Sequence, residues 1–218
     1  PPQGTDKQAR FHGYVFPYAM LLSPLRKQVK GILEIGLGTI DPNTPSNMRH
    51  HLGRAGVKTV HGGVGYLPGA SLRAWSHFFP EAHVYGLDID PAAVRYVENE
   101  TRITAYAASS MDKEAVAALG FPHELDVIID DGLHTWEANQ ATLRALWPNL
   151  RVGGLFCIED VIWAQAPWLE KRLPASPLGT FPIPSWDHTD ADIQALFRAP
   201  EASMLRLSTH PFFAQRTE

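Results

Sequence analysis

Ile32-Leu33-Glu34-Ile35-Gly36-Leu37-Gly38 is an apolar run with a single acid inside it that opens into Gly-x-Gly. A short apolar run bounded by turn residues reads as a buried strand. Residues 32–36 therefore form a first strand, and the glycines begin the turn beyond it. The same pattern recurs downstream in Val84-Tyr85-Gly86-Leu87-Asp88, Ile103-Thr104-Ala105-Tyr106, Asp126 to Asp130 and Leu155 to Glu159. Helical patterns separate these runs. Leu72, Trp75, Phe78 and Phe79 recur at helical spacing, with Ser71 as N-cap and Pro80 as the stop. Asp90-Pro91 opens a helix with proline in its first turn. Asp112 opens another that runs to Leu119, and Thr135 to Trp147 forms a last one, ended by Pro148. Strands alternating with helices imply right-handed crossovers. The expected fold is α/β and Rossmann-like, a mostly parallel central sheet with helices on both faces.

Three stretches interrupt the alternation. Residues 1–30 precede the first strand and carry Thr5-Asp6-Lys7, His12-Gly13-Tyr14 and Tyr18. Residues 39–69 are a long connection rich in Pro, Gly, Asn and His, and residues 173–188 hold Pro174, Pro177, Pro182 and Pro184. Connections this long inside a domain are usually functional, so the first reads as an inserted loop and the second as a lid. Met204 to Phe213 offers a late strand at the sheet edge. The 218 residues, 44% hydrophobic, suit one domain, residues 1–218, with one core. A net charge of −4 with no basic run argues against a nucleic-acid partner. No apolar stretch reaches the roughly 20 residues that span a bilayer, and Pro1-Pro2-Gln3-Gly4 is no signal peptide. A lone cysteine, Cys157, rules out an internal disulfide. The expectation is a soluble, cytoplasmic protein with no membrane partner.

In open parallel sheets ligands bind beyond the carboxyl ends of the strands. Here those ends carry Gly36 and Gly38, Asp88, Ser109-Ser110, Asp130-Asp131-Gly132-Leu133-His134 and Glu159-Asp160. Clustered carboxylates repel, more so when desolvated. A hard divalent cation such as Mg²⁺ relieves that repulsion with oxygen ligands, and His134 stands beside the cluster as a possible base. The glycines let a ligand approach the backbone, and Asp88 can accept from ribose hydroxyls. Asp41 occupies the place of the third glycine of a dinucleotide fingerprint. The 50 positions from Gly38 to Asp88 also exceed the roughly 20 of a dinucleotide-binding unit. Removing the 31-residue 39–69 loop restores that distance. The helix N-terminus at Ser71 would suit a ligand carboxylate.

Glu34-Ile35-Gly36-Leu37-Gly38 followed by Asp88 resembles the S-adenosylmethionine site of class I methyltransferases. The resemblance spans roughly residues 30–160. It implies that Glu34 organises the glycine loop, that Gly36 and Gly38 contact the cofactor and that Asp88 binds ribose. It also implies that Ser110, Met111 and Asp112 lie near adenine and Asp130 near the sulfonium. The acids after strands four and five are similar to those of metal-dependent O-methyltransferases. Asp-Asp-Gly-x-His, Glu-Asp, Gly69-Ala70-Ser71-Leu72-Arg73-Ala74-Trp75 with Phe79-Pro80, Thr-Asp-Lys and His-Gly-Tyr together resemble macrolide-sugar O-methyltransferases of the mycinamicin type and their cephalosporin-hydroxylase-like relatives. Leu133 stands where that group has a small residue, Ser109 where it often has an acid, and the 39–69 insertion is longer.

The resemblance implies a Mg²⁺- and S-adenosylmethionine-dependent O-methyltransferase. Asp131, Glu159 and Asp160 would hold the ion, His134 would take the proton of a substrate hydroxyl, and the oxygen would attack the sulfonium methyl. Histidine suits that task because imidazoles titrate near neutrality. The partner is a hydroxylated small molecule, a natural-product or sugar-type acceptor, and the chain can form homo-oligomers. Trp136, Trp163, Trp168, Trp186, Tyr14, Tyr18 and Tyr66 are candidates for a pocket lining or for core. Three other readings share part of the motif set. An iron oxygenase would pair His134 with His50, His51 or His61 and a carboxylate. A non-catalytic protein would keep only the cofactor fold. A nicotinamide oxidoreductase would need the absent third glycine.

Overall fold

The computed structural model describes residues 7, 14–39, 41, 67–160 and 212–216. They fall into two compact units, Pro1–Ser110 and Met111–Glu218. In the first, α1 (Val15–Leu22) and a 3₁₀ turn (Ser23–Leu25) lead into β1 (Gly31–Ile35). Then come α2 (Ala70–Phe78), β2 (His83–Asp88), α3 (Pro91–Arg95) and β3 (Ile103–Ala107). The strands lie in the order β3-β2-β1, all parallel. Every residue of β1 is buried, as expected for a parallel strand covered on both faces. Ile35 pairs with Leu87, so the chain leaves β1 at Gly36 level with Asp88 at the end of β2.

α2 starts two residues earlier than the sequence suggests. Gly69, not Ser71, is the N-cap of α2, with φ of 75°. Glycine is required there twice over: the left-handed backbone favours it, and a Cβ would stand 2.4 Å from Val97 Cγ1. Ser71 is instead the second helical residue. At the other end Phe79 turns extended, as the residue before Pro80 should. Gly86 lets α2 approach β2, since a Cβ there would meet Leu72 Cδ1 at 2.6 Å. Two arginines fasten this packing. Arg73 reaches the carbonyls of Pro68 and Tyr96 and the Glu100 carboxylate. Arg102 takes the carbonyls of Ser76, Phe79 and Ala82 where α2 ends.

The second unit contains α4 (Lys113–Ala118), β4 (Leu125–Asp130), α5 (Trp136–Leu146), β5 (Leu150–Ile158) and β6 (Phe212–Gln215). β4 and β5 are parallel and β6 is antiparallel to β5. All of β4 is buried. Asp112 caps α4 and Thr135 caps α5, each side chain accepting a backbone N–H of the first turn. Thr135 thus does the capping that Asp130 or Asp131 would otherwise offer. β5 begins five residues before the Leu155 start expected from sequence. Arg151-Val152-Gly153-Gly154 reads as a turn, but Arg151 ion-pairs with Asp126 on the neighbouring strand. Gly153 and Gly154 also exchange backbone hydrogen bonds with Arg216. Cys157 is buried, as expected. Among the described residues no helix is long and apolar enough to cross a membrane. The bulk of the 39–69 loop, the 173–188 segment, His50, His51, His61, Tyr66, Trp163, Trp168 and Trp186 lie outside the described residues.

Candidate functional site

The glycine turn beyond β1 is built around Asp88. Gly36 and Gly38 have φ of 87° and 71°, a region that glycine enters without steric cost. Gly36 N–H bonds Leu87 O at 2.8 Å, so the turn is stitched to the end of β2. Leu37 N–H donates to Asp88 Oδ2 at 2.6 Å and Asp90 N–H to Oδ1 at 2.8 Å. Burial pushes the Asp88 carboxyl up, opposed by these backbone donors. A carboxylate offers about four acceptor sites, which leaves room for hydroxyl donors. Asp90 caps α3 through Ala92 N–H at 2.8 Å and accepts the Thr39 hydroxyl. Between the two acids Ile89 is held out, 66% exposed.

Glu34 lies beneath this turn and is fully buried. Its Oε2 accepts the Trp75 indole N–H at 2.7 Å. Its Oε1 lies 3.2 Å from Lys7 Nζ, an ion pair outside good hydrogen-bond direction at that oxygen. Nothing in the spacing of Lys7 or Trp75 along the chain pairs either of them with Glu34.

In the second unit Asp131, His134 and Asp160 each bring a ligand atom to within 4.8 Å of the others. His134 Nε2 stands 3.6 Å from Asp131 Oδ1 and 3.9 Å from Asp160 Oδ2. His134 and Asp160 have φ of 58° and 47°, and they are the only non-glycine residues with positive φ among those described. Such backbone costs of order 1–3 kcal/mol per residue and concentrates at functional sites. His134 Nδ1 is buried and has no hydrogen-bond partner among the described residues. Glu159, expected as a third oxygen ligand, is buried beside Asp160 and is not part of this cluster.

Asp130 supports the cluster from below. Its carboxylate accepts Asn139 Nδ2–H at 2.9 Å and Gly132 N–H at 3.2 Å, while its carbonyl accepts Glu159 N–H at 2.9 Å. One residue thereby ties the Asp131–His134 turn, α5 and the end of β5 together. Burial pushes its carboxyl up to about 6, opposed chiefly by the Asn139 hydrogen bond. Asn139→Leu removes that donor and should destabilise the fold by about 1–3 kcal/mol. The sign of the pH dependence follows from linkage. A carboxyl raised above its ordinary value favours folding at low pH, and that advantage is lost as pH rises through about 6. Without Asn139 the folded-state value rises further. The urea-midpoint deficit of the variant, measured without divalent ions, should be small near pH 5 and large near about pH 8. An equal deficit at both would show that Asn139 does not act through the Asp130 charge.

Of the other expected residues, Ser71 sits in the first turn of α2 and Ser110 just after β3. The Asp112 carboxylate caps α4, which accounts for an acid there without a ligand. Tyr14 and Tyr18 are core, packed edge-on to each other, and Tyr18 also packs edge-on to Trp75.

Residues 63–161 match the family model described as a methyltransferase domain. That stretch is similar to a methyltransferase domain. Demethylmacrocin O-methyltransferase of Streptomyces fradiae is 39% identical over 164 residues, 75% of this chain and 35% of that protein. Mycinamicin VI 2''-O-methyltransferase of Micromonospora griseorubida is 32% identical over 165 residues, 75% of this chain and 35% of that protein. The chain thus spans about a third of the length of the curated relatives it matches. Among solved structures, the MycE methyltransferase of the mycinamycin pathway, in complex with Mg, SAH and mycinamycin VI, superposes with a TM-score of 0.63 at 24% identity. That match covers 98% of this chain and 51% of MycE. A putative caffeoyl-CoA O-methyltransferase from Staphylococcus aureus reaches 0.52 at 11% identity, covering 92% and 83%. The Rossmann-like fold expected from the strand pattern, in the methyltransferase form that the resemblance implies, is therefore the fold of this protein.

Proposed function

We propose that this methyltransferase transfers a methyl group from S-adenosylmethionine to a hydroxyl of a sugar-type natural product and depends on a divalent cation, Mg²⁺ in the first instance. The observation that carries the reading is the Asp131–His134–Asp160 cluster, where two of the three residues are held in left-handed backbone. Two carboxylates and an imidazole brought together inside the protein suit a cation, and a buried ring nitrogen without a described partner suits a ligand beside it.

On the donor side, Gly36 and Gly38 admit the ligand to the backbone and Asp88 accepts from the ribose hydroxyls. Ile89 offers an apolar surface to the adenine ring. Ser71, in the first turn of α2, faces the donor's carboxylate, and Glu34 holds the turn in place. Ser110 and Asp112 are assigned to the adenine end. Asp130 is assigned to the sulfonium end, where it also holds the acceptor-side turn.

On the acceptor side, Asp131 and Asp160 would hold the cation. When bound, the cation supplies Lewis acidity that lowers the pKa of a coordinated hydroxyl. His134 Nε2, the ring nitrogen facing both carboxylates, takes the proton, and those carboxylates stabilise the imidazolium that results. The freed oxygen then attacks the sulfonium methyl in line with the departing sulfur. Leu133, 57% exposed between two members of the cluster, offers apolar contact to the acceptor beside its hydroxyl. By their names, the curated relatives methylate sugar hydroxyls of macrolides and tetracenomycins, and this points to the acceptor class.

The test is methyl transfer from labelled S-adenosylmethionine to a panel of glycosylated macrolides and tetracenomycins. Turnover should vanish on exhaustive chelation and return with Mg²⁺. Transfer that survives chelation sinks the metal assignment.

A further inference from the structure

We infer that Lys7 is a positioning residue for the donor site, acting through Glu34. The inference rests on the donor reading above and adds to it a residue that lies far from the glycine turn in sequence.

A carboxylate in the middle of a fully buried parallel strand is an unfavourable place for charge. Here Glu34 is compensated from two directions. Trp75 Nε1–H reaches it from α2 at 2.7 Å, and the Lys7 ammonium reaches it from ahead of α1 at 3.2 Å. Lysine is almost never buried unless paired, and Lys7 is as buried as its partner's surroundings, at 6% exposure. Its position is independently held: Val15 N–H donates to the Lys7 carbonyl at 2.9 Å, and Tyr14 packs edge-on to Tyr18, which packs edge-on to Trp75.

What these contacts brace is the turn itself. Glu34 lies two residues before Gly36, where β1 ends and the turn begins. Trp75 belongs to α2, whose cap Gly69 donates its N–H to Leu37 O at 2.9 Å. The two sides of the Gly36–Gly38 turn, β1 and α2, are therefore tied together through the Glu34 carboxylate, and Lys7 is the counter-charge that holds that carboxylate in place. Losing the ammonium would free Glu34 to swing away, and the turn would lose the shape that admits the donor.

The experiment measures S-adenosylhomocysteine affinity by calorimetry and donor KM, acceptor KM and kcat by turnover. The variants are Lys7→Met, Lys7→Arg, Glu34→Gln and the Lys7→Met/Glu34→Gln pair. Lys7→Met should weaken S-adenosylhomocysteine by about tenfold, the scale seen when supporting contacts of a site are removed. Donor KM should rise in step while acceptor KM stays unchanged, and Lys7→Arg should restore most of the loss. Because Lys7 acts through Glu34, the double variant should lose no more than Glu34→Gln alone. Should Lys7→Met fail to fold, the double variant, which removes both charges, carries the test: it should fold and bind about tenfold more weakly. A folded Lys7→Met or double variant that binds S-adenosylhomocysteine like wild type overturns the inference, as do strictly additive losses. Wild-type protein that binds no S-adenosylhomocysteine overturns the donor reading itself, and the inference with it.

Discussion

Asp131→Asn is expected to reduce turnover by on the order of 10³-fold or more, because Lewis-acid stabilisation by a metal is worth several kcal/mol. Asp131 Oδ1 is the closer of the two carboxylate oxygens to His134 Nε2, at 3.6 Å against 3.9 Å for Asp160. Asparagine keeps the shape and one acceptor oxygen but removes the charge that a hard cation needs. Two measurements check the result: kcat for methyl transfer, and Mg²⁺ affinity by calorimetry. Both should fall together, while S-adenosylhomocysteine affinity holds. An Asp131→Asn variant with wild-type Mg²⁺ affinity and turnover would remove Asp131 from the metal site.

His134→Asn should lower kcat by about 10²–10⁴-fold, the usual contribution of a positioned general base. Asparagine is the better replacement than alanine here. His134 has φ of 58°, and asparagine is among the few residues that enter the left-handed region readily. The backbone of the cluster should therefore survive and the loss report the imidazole. Mg²⁺ affinity separates two roles. If it holds while kcat falls, His134 moves the proton. If it falls with kcat, the imidazole is itself a ligand of the ion, as its place in the cluster with Asp131 and Asp160 would also allow.

Much of the glycine turn and its Asp88 support is legible in the sequence. The first strand, its Gly-x-Gly exit and Asp88 all follow from apolar runs closed by turn residues, and parallel pairing of Ile35 with Leu87 then makes Gly36 and Asp88 neighbours. Asp90, Asp112 and Thr135 were legible as helix starts, because capping is a local contact within three residues. Ser71 was misread as a cap because a serine before an apolar helical pattern is the usual signal. A glycine in left-handed backbone two residues earlier does that work here. The early start of β5 was missed for the opposite reason: Gly153 and Gly154 break a local pattern, and only partners far along the chain, Asp126 and Arg216, hold them in a strand.

The amino-acid sequence by itself determined the alternation of strands and helices, the acids at the strand ends and hence an α/β, Rossmann-like fold, since these depend on periodicity and on neighbours a few residues apart. Tertiary structure decided which acids stand together and what holds them. Asp160, in left-handed backbone just beyond β5, joins Asp131 and His134, while Glu159 is buried outside the cluster. The left-handed backbone of His134 and Asp160, the Asn139 bond to Asp130 and the burial of Lys7 against Glu34 depend on side-chain direction across packed elements. No spacing along the chain encodes that direction.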